Sequence, residues 1–247
     1  MESIYALTIA LLPVAIIIYL VFNKDTEKEP LRELWIAIGF GVVSSVISLC
    51  ISLLFAHWEL YIKEPTTIAE AVRISFFGAA IPEEIAKTIM LWLFMRRCRE
   101  YDQYMDGIIY AVCISLGFAA LENILYVVQN DSWLSIGIVR AFTAVPGHYC
   151  TGVIMGYYYS KVRLSHFATL KDRVMILLAP IVTHGIYDSI VFSEYVFRNT
   201  ESEGVAALIL IPIFIYFVYR LHKHCIARIA QTVEQDRLDI ALRNGYK

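Results

Sequence analysis

Residues 72–95 read VRISFFGAAIPEEIAKTIMLWLFM. As a helix this stretch is long enough to cross a hydrocarbon core, which takes about 20 residues. Yet Glu83, Glu84 and Lys87 sit near its middle. Neighbouring apolar stretches repeat the pattern with Glu122, Arg140 and Asp188, and with His148 and His184. A charge near the bilayer centre costs roughly 3 kcal/mol, so six facing lipid would cost on the order of 15–20 kcal/mol. The groups must therefore face inward and pair with one another. This predicts a membrane protein with a buried polar site.

The whole chain agrees. Its 247 residues are 58% hydrophobic, with a mean hydropathy of +0.60, above the apolar share of an ordinary soluble domain. A net charge of −2 gives no reason to expect a nucleic-acid partner. Cys50, Cys98, Cys113, Cys150 and Cys225 are odd in number and lack close pairs, so they read as small buried hydrophobes. Residues 1–22 lack the basic start of a signal peptide, and Asn23, Lys24 and Asp25 end a first span.

The pattern predicts an all-α, polytopic membrane helix bundle. About seven transmembrane helices are expected, near 4–22, 34–56, 72–95, 106–128, 134–159, 174–192 and 205–222. Strands are unlike this pattern, because membrane strands need only about ten residues. Lys24, Lys28 and Arg32 follow the first helix, Arg96, Arg97 and Arg99 the third, and Lys161, Arg163, Lys171 and Arg173 the fifth. The tail adds Arg220, Lys223, Arg228, Arg237, Arg243 and Lys247, whereas the opposite loops hold only Lys63 and Arg198. By the positive-inside rule the N-terminus is out and the C-terminus in. Residues 1–222 form one membrane domain, and 223–247 a cytoplasmic tail. Ile226, Ile229, Val233 and Leu238 lie at roughly helical spacing there; a surface-lying amphipathic helix and a solvated tail are both open.

Helices three to six each bring polar groups to a depth between the bilayer centre and its outer leaflet. Glu83 and Glu84 lie four and three residues before Lys87, close enough to pair with it. Pro82 just before them is expected to kink the helix. Phe118 shares a face with Glu122, and Asn123 follows. Arg140 and His148, eight apart, lie nearly on one face, with Pro146 and Gly147 loosening the helix before the histidine. His184 and Asp188 are four apart. One shared cavity is implied. A buried carboxylate there can act on water as general base and acid. Histidines can bind a metal or donate to an oxyanion, and a carboxylate one turn away can orient a ring. With neutral histidines the formal charges leave −2, which one divalent cation or two retained protons would cancel. Imidazole and carboxylate suit zinc.

Three motifs then carry a resemblance. Glu83-Glu84-Ile85-Ala86-Lys87 matches EExxK, Phe118 to Glu122 matches FxxxE, and His184 to Asp188 matches HxxxD. With His148 in Pro-Gly-His, the set spans about residues 70–192 and resembles the PrsW-type intramembrane proteases. Type II CAAX prenyl proteases and bacteriocin-immunity-type proteins are wider relatives, but carry histidine where this chain has Glu122. The resemblance implies a multi-pass endopeptidase of the bacterial inner membrane, cutting single-span, anti-sigma-factor-like substrates near the outer face. It implies Glu83 as the base for water, with Glu84 supporting it or binding metal. Glu122 would share the water or metal, His148 and His184 would ligate metal or stabilise the oxyanion, Asp188 would orient His184, and Lys87 would position the glutamates. The expected metal set is Glu84, Glu122, His148 and His184, most simply around one zinc. A metal-free glutamate protease is the competing description, and Phe118, Asn123 and Arg140 are supporting residues.

Two other functions fit a membrane bundle with buried charge. A proton-coupled transporter would use carboxylate–histidine chains as relays, but clustering at one depth argues against a path across the membrane. A non-catalytic seven-helix sensor would not need so rich a polar site.

Overall fold

The computed structural model describes residues 2–198 and 200–245. Lys247, among the tail's basic residues, lies outside them. The ordered elements are helical: α1 (Glu2–Phe22), α2 (Leu31–His57), α3 (Ile68–Arg73), a π-helical stretch (Ile74–Ala80), α4 (Ile81–Met95), α5 (Tyr104–Val128), α6 (Trp133–Phe142), α7 (Ala144–Leu164), α8 (Leu170–Phe197) and α9 (Glu203–Gly245). Among the described residues, five helices are long and apolar enough to cross a membrane: α1, α2, α5, α8 and α9. Large apolar side chains such as Tyr19, Trp35, Leu49, Leu208 and Ile215 are exposed, as befits a surface facing lipid. The chain is a helical, multi-pass membrane bundle.

The other two apolar segments are each interrupted, and a proline explains both interruptions. The segment at Ile68–Met95 starts with a capping box, in which the Thr67 hydroxyl accepts from Glu70 N and the Glu70 carboxylate accepts from Thr67 N. It then widens into the π-helical stretch before α4. Pro82 has no N–H to give the carbonyl four residues back, at Gly78. That carbonyl accepts instead from the Ser52 hydroxyl of α2, at 2.9 Å. The irregularity expected at Pro82 is thus taken up on its N-terminal side, where a wide turn absorbs the missing bond.

The same physics divides the expected fifth helix. Pro146 cannot bond to the carbonyl of Phe142, and α6 ends there. Thr143 takes φ −122° and ψ −71°, and α7 begins at Ala144 with the proline in its first turn, where a missing donor is harmless. The break therefore precedes the Pro146-Gly147 pair.

Helix α5 is the axis of the bundle. Backbones approach it closely wherever glycine removes a side chain. A Cβ on Gly117 would strike the Ile38 carbonyl of α2, and one on Gly41 the Ile114 carbonyl of α5. On the opposite side, a Cβ on Gly156 of α7 would meet Gly107 and Ile108. Leu91, Phe94, Tyr110, Ile114 and Met155 fill the buried space between these crossings.

Helix α9 continues past residue 222, where the apolar run was expected to end, as far as Gly245. Cys225 and Ile229 pack into the core. Further on, both carboxylate oxygens of Asp236 accept from backbone donors at the start of α5, Tyr104 N and Met105 N, each at 2.8 Å. These N–H groups lack helical partners of their own.

Candidate active site

Lys87 organises the site. Its side chain is 0% exposed, and its ammonium donates to Glu83 Oε2 at 3.1 Å, to Glu84 Oε1 at 2.9 Å and to His148 Nδ1 at 3.0 Å. The first two bonds follow from helical spacing on α4; the third crosses to α7. The Phe118 ring lies under the ammonium, 4.1 Å from Nζ, close enough for a cation–π contact. The same ring stands 5.5 Å from His148. This explains a phenylalanine one turn before Glu122: it walls the cation and steadies the imidazole.

Glu122 of α5 receives two donors. His148 Nε2 is 3.0 Å and Arg140 Nη2 is 2.8 Å from its Oε2. Arg140 also donates through Nε to Asn123 Oδ1 at 2.7 Å, and Asn123 Nδ2 donates to the Ala10 carbonyl of α1 at 3.2 Å. Asn123 thus ties the arginine to the outer layer of the bundle. Arg140 and His148 reach one carboxylate despite the break between their helices.

His184 of α8 completes the group. Its Nδ1 is 2.8 Å from Glu84 Oε1, and its Nε2 is 3.2 Å from Asp188 Oδ2 and 3.9 Å from Glu83 Oε2. A ring with a carboxylate at each nitrogen needs two protons, or a cation in place of one. Gly185 lets this helix approach the π-helical stretch, because a Cβ there would run into the Phe76 ring. The His148 and His184 rings meet edge to face, 5.4 Å apart. All seven residues expected to be catalytic therefore fall in one connected network, with Phe118, Asn123 and Arg140 bonded to it.

The network borders a cavity of about 790 Å³. Glu83, Glu122, Arg140, His148, His184 and Asp188 line it, whereas Glu84 lies behind them. Sequence reasoning missed Tyr126, Tyr187 and Thr151 in the wall. Helical spacing could have found them, since Tyr126 lies four residues after Glu122, and Tyr187 and Thr151 three after His184 and His148.

Glu83, Glu84, His148 and His184 each offer a ligand atom, all within 4.8 Å of one another. Glu122 stands outside this foursome, and Glu83 stands within it. Two carboxylates and two imidazoles form a donor set suited to a divalent transition metal. Glu84 Oε2 is moreover buried with no hydrogen-bond partner, an orphaned acceptor that a cation would satisfy. The residues fit a metal ion.

Fold and site define a polytopic helical membrane protein enclosing a carboxylate–imidazole centre. Comparison with known proteins gives the family: the chain belongs to the PrsW family of intramembrane metalloproteases, whose family model matches residues 29–217. It is therefore a protease, which sets aside the transporter and the non-catalytic sensor. It is 28% identical over 219 residues to Protease PrsW of Clostridioides difficile (strain 630), covering 87% of each chain. It is 33% identical over 184 residues to Protease PrsW of Geobacillus kaustophilus (strain HTA426), covering 73% of this chain and 76% of that one. Against Protease PrsW of Bacillus subtilis (strain 168) the figures are 31% over 178 residues, 72% and 78%. No solved structure matches the chain.

Proposed function

We propose that the protein is an endopeptidase that cuts a single-span, anti-sigma-factor-like membrane protein, with Glu83 as the base that activates water. The supporting observation is the asymmetry of the two adjacent glutamates. Glu83 lines the cavity, while Glu84 is 0% exposed and held from behind by Lys87 and His184. Glu83 can reach water; Glu84 can hold its neighbours in place.

In this reading a carboxylate oxygen of Glu83 takes a proton from water as the oxygen attacks the scissile carbonyl. It then returns that proton to the leaving amine. Arg140 faces the same cavity and supplies an N–H donor for charge developing on the carbonyl oxygen, while Asp188 and Glu84 steady the His184 ring. Lys87 fixes Glu83, Glu84 and His148 relative to one another. Glu84, His148 and His184 would hold a divalent ion, most simply zinc, which supplies a Lewis acid, with Glu83 beside it as the base.

The basic loops support a reading with the N-terminus outside and the C-terminus in the cytoplasm of a bacterium, residues 1–222 being the unit in the inner membrane and 223–247 its cytoplasmic extension. The test is cleavage of a single-span substrate by purified protein in liposomes. Glu83→Gln is expected to lower the rate by about 100-fold or more, and cleavage unchanged in that variant rejects the assignment. Sensitivity to a chelator, reversed by added zinc, supports the metal.

A further inference from the structure

The cavity has two kinds of rim. At one end Tyr61, Lys63 and Glu194 bring polar groups to its edge. Along one flank it is walled by Val139 of α6 and by Leu210, Ile211 and Phe214 of α9. Val139 is 59% and Ile211 is 52% exposed although both line the cavity, so each faces the interior and the exterior at once.

Packing leaves that flank open. Helix α6 rests on α1, α5 and α7, and α9 rests on α5, α7 and α8. Between α6 and α9 there is no extensive packing among the described residues. Other seams of the bundle are packed: α3 and the π-helical stretch rest on α8, and α2 rests on α4 and α5. The open flank lies beside the break at Thr143, and the first turn of α7, with Gly147 and His148, lines the cavity behind it.

We infer that the gap between α6 and α9 is the lateral passage through which the transmembrane segment of a substrate reaches Glu83, and that water arrives from the Lys63–Glu194 rim. This rests on the endopeptidase reading above. Val139, Ile211 and the adjoining exposed Ile138, Ile209 and Ile213 offer an apolar threshold that suits a segment already solvated by lipid. The polar rim suits water and excludes such a segment by the desolvation it would require. The two reactants approach Glu83 from different sides.

The test places a photoreactive benzoylphenylalanine, one position at a time, at Val139, Ile211, Val46 of α2 or Val72 of α3. All four are exposed apolar positions. The host is Glu83→Gln, which retains substrate without cutting it, and the substrate is a single-span segment first shown to be cleaved by the wild type. Adducts are expected at 139 and 211 at least tenfold above those at 46 and 72. Adducts predominating at 46 or 72, or equal at all four, overturn the passage and leave the endopeptidase reading standing. Cleavage surviving in Glu83→Gln overturns that reading instead. Each labelled protein with Glu83 restored is checked for a folded, monodisperse state, so that a missing adduct reports position and not collapse.

Discussion

Lys87 Nζ stands 3.0 Å from His148 Nδ1. An ammonium has only protons to give, so the imidazole nitrogen accepts and the ring's own proton lies on Nε2, directed at Glu122. Both nitrogens of His148 are thus engaged, and the ammonium contacts three of the four residues that can surround a metal. Ammonium and metal ion draw on the same donors. Lys87→Met is expected to tighten zinc binding by about tenfold or more, since a tenfold change corresponds to only about 1.4 kcal/mol. Competition against a fluorescent zinc chelator in detergent measures it; unchanged or weaker binding rejects the competition. Cleavage by the same variant should fall sharply, because the glutamates lose their common anchor.

The Arg140–Glu122 pair is largely buried, with side chains 13% and 23% exposed. Removing one member of such a pair strands the other charge. Arg140→Met should destabilise the protein by about 3 kcal/mol. Adding Glu122→Gln should restore most of that loss, because an amide oxygen can still accept from His148 without carrying charge. Thermal unfolding in detergent reads the cycle, and strictly additive effects would argue against the pairing.

Two neighbouring glycines on α2 should behave oppositely. Gly41→Ala pushes a methyl into the Ile114 carbonyl, with an expected loss of about 1–3 kcal/mol. At Gly39 a Cβ meets nothing within 4 Å. Gly39→Ala should therefore be neutral or stabilising by up to about 1 kcal/mol through helix propensity. Unfolding curves of the two variants, compared side by side, check the close approach of α2 and α5.

Outside the spans, burial raises the Glu29 carboxyl above its ordinary value, and the Tyr110 hydroxyl donates to it. For an acid whose folded pKa is raised, stability is fully present below the unfolded pKa and is lost as pH rises through the folded one. The protein should therefore lose stability as pH rises beyond the normal carboxylate range. Glu29→Gln should reduce that fall while keeping an acceptor for Tyr110. Buried Asp25 is raised for the same first cause, so part of the slope should remain. Melting temperatures from pH 5 to pH 8 give the comparison; an unchanged slope counts against Glu29 as a source.

Much of this architecture was legible because hydropathy and charge speak locally. The apolar runs of α1, α2 and α5 announce themselves, and the spacing of Glu83, Glu84 and Lys87 makes their pairing a matter of helix geometry. The breaks were harder to place. Proline acts on the carbonyl four residues before it, so Pro82 and Pro146 disturb Gly78 and Phe142 and not their own positions. The third partner of Lys87 was invisible, because nothing along the chain says that His148 will face α4. Asp236 offered no sign that it would meet the start of α5, since that contact depends on how far α9 runs. The role of Phe118 also emerges only once the ammonium is seen above its ring.

The wide turn at Ile74–Ala80 also sets the rotational phase of everything after it. Each residue of an α-helix advances the azimuth by about 100°. Winding the same residues as regular α-helix, with none removed, would swing Glu83, Glu84 and Lys87 by roughly that angle relative to α3. The acids would then point at packed neighbours or at lipid, with the sequence of α4 itself intact.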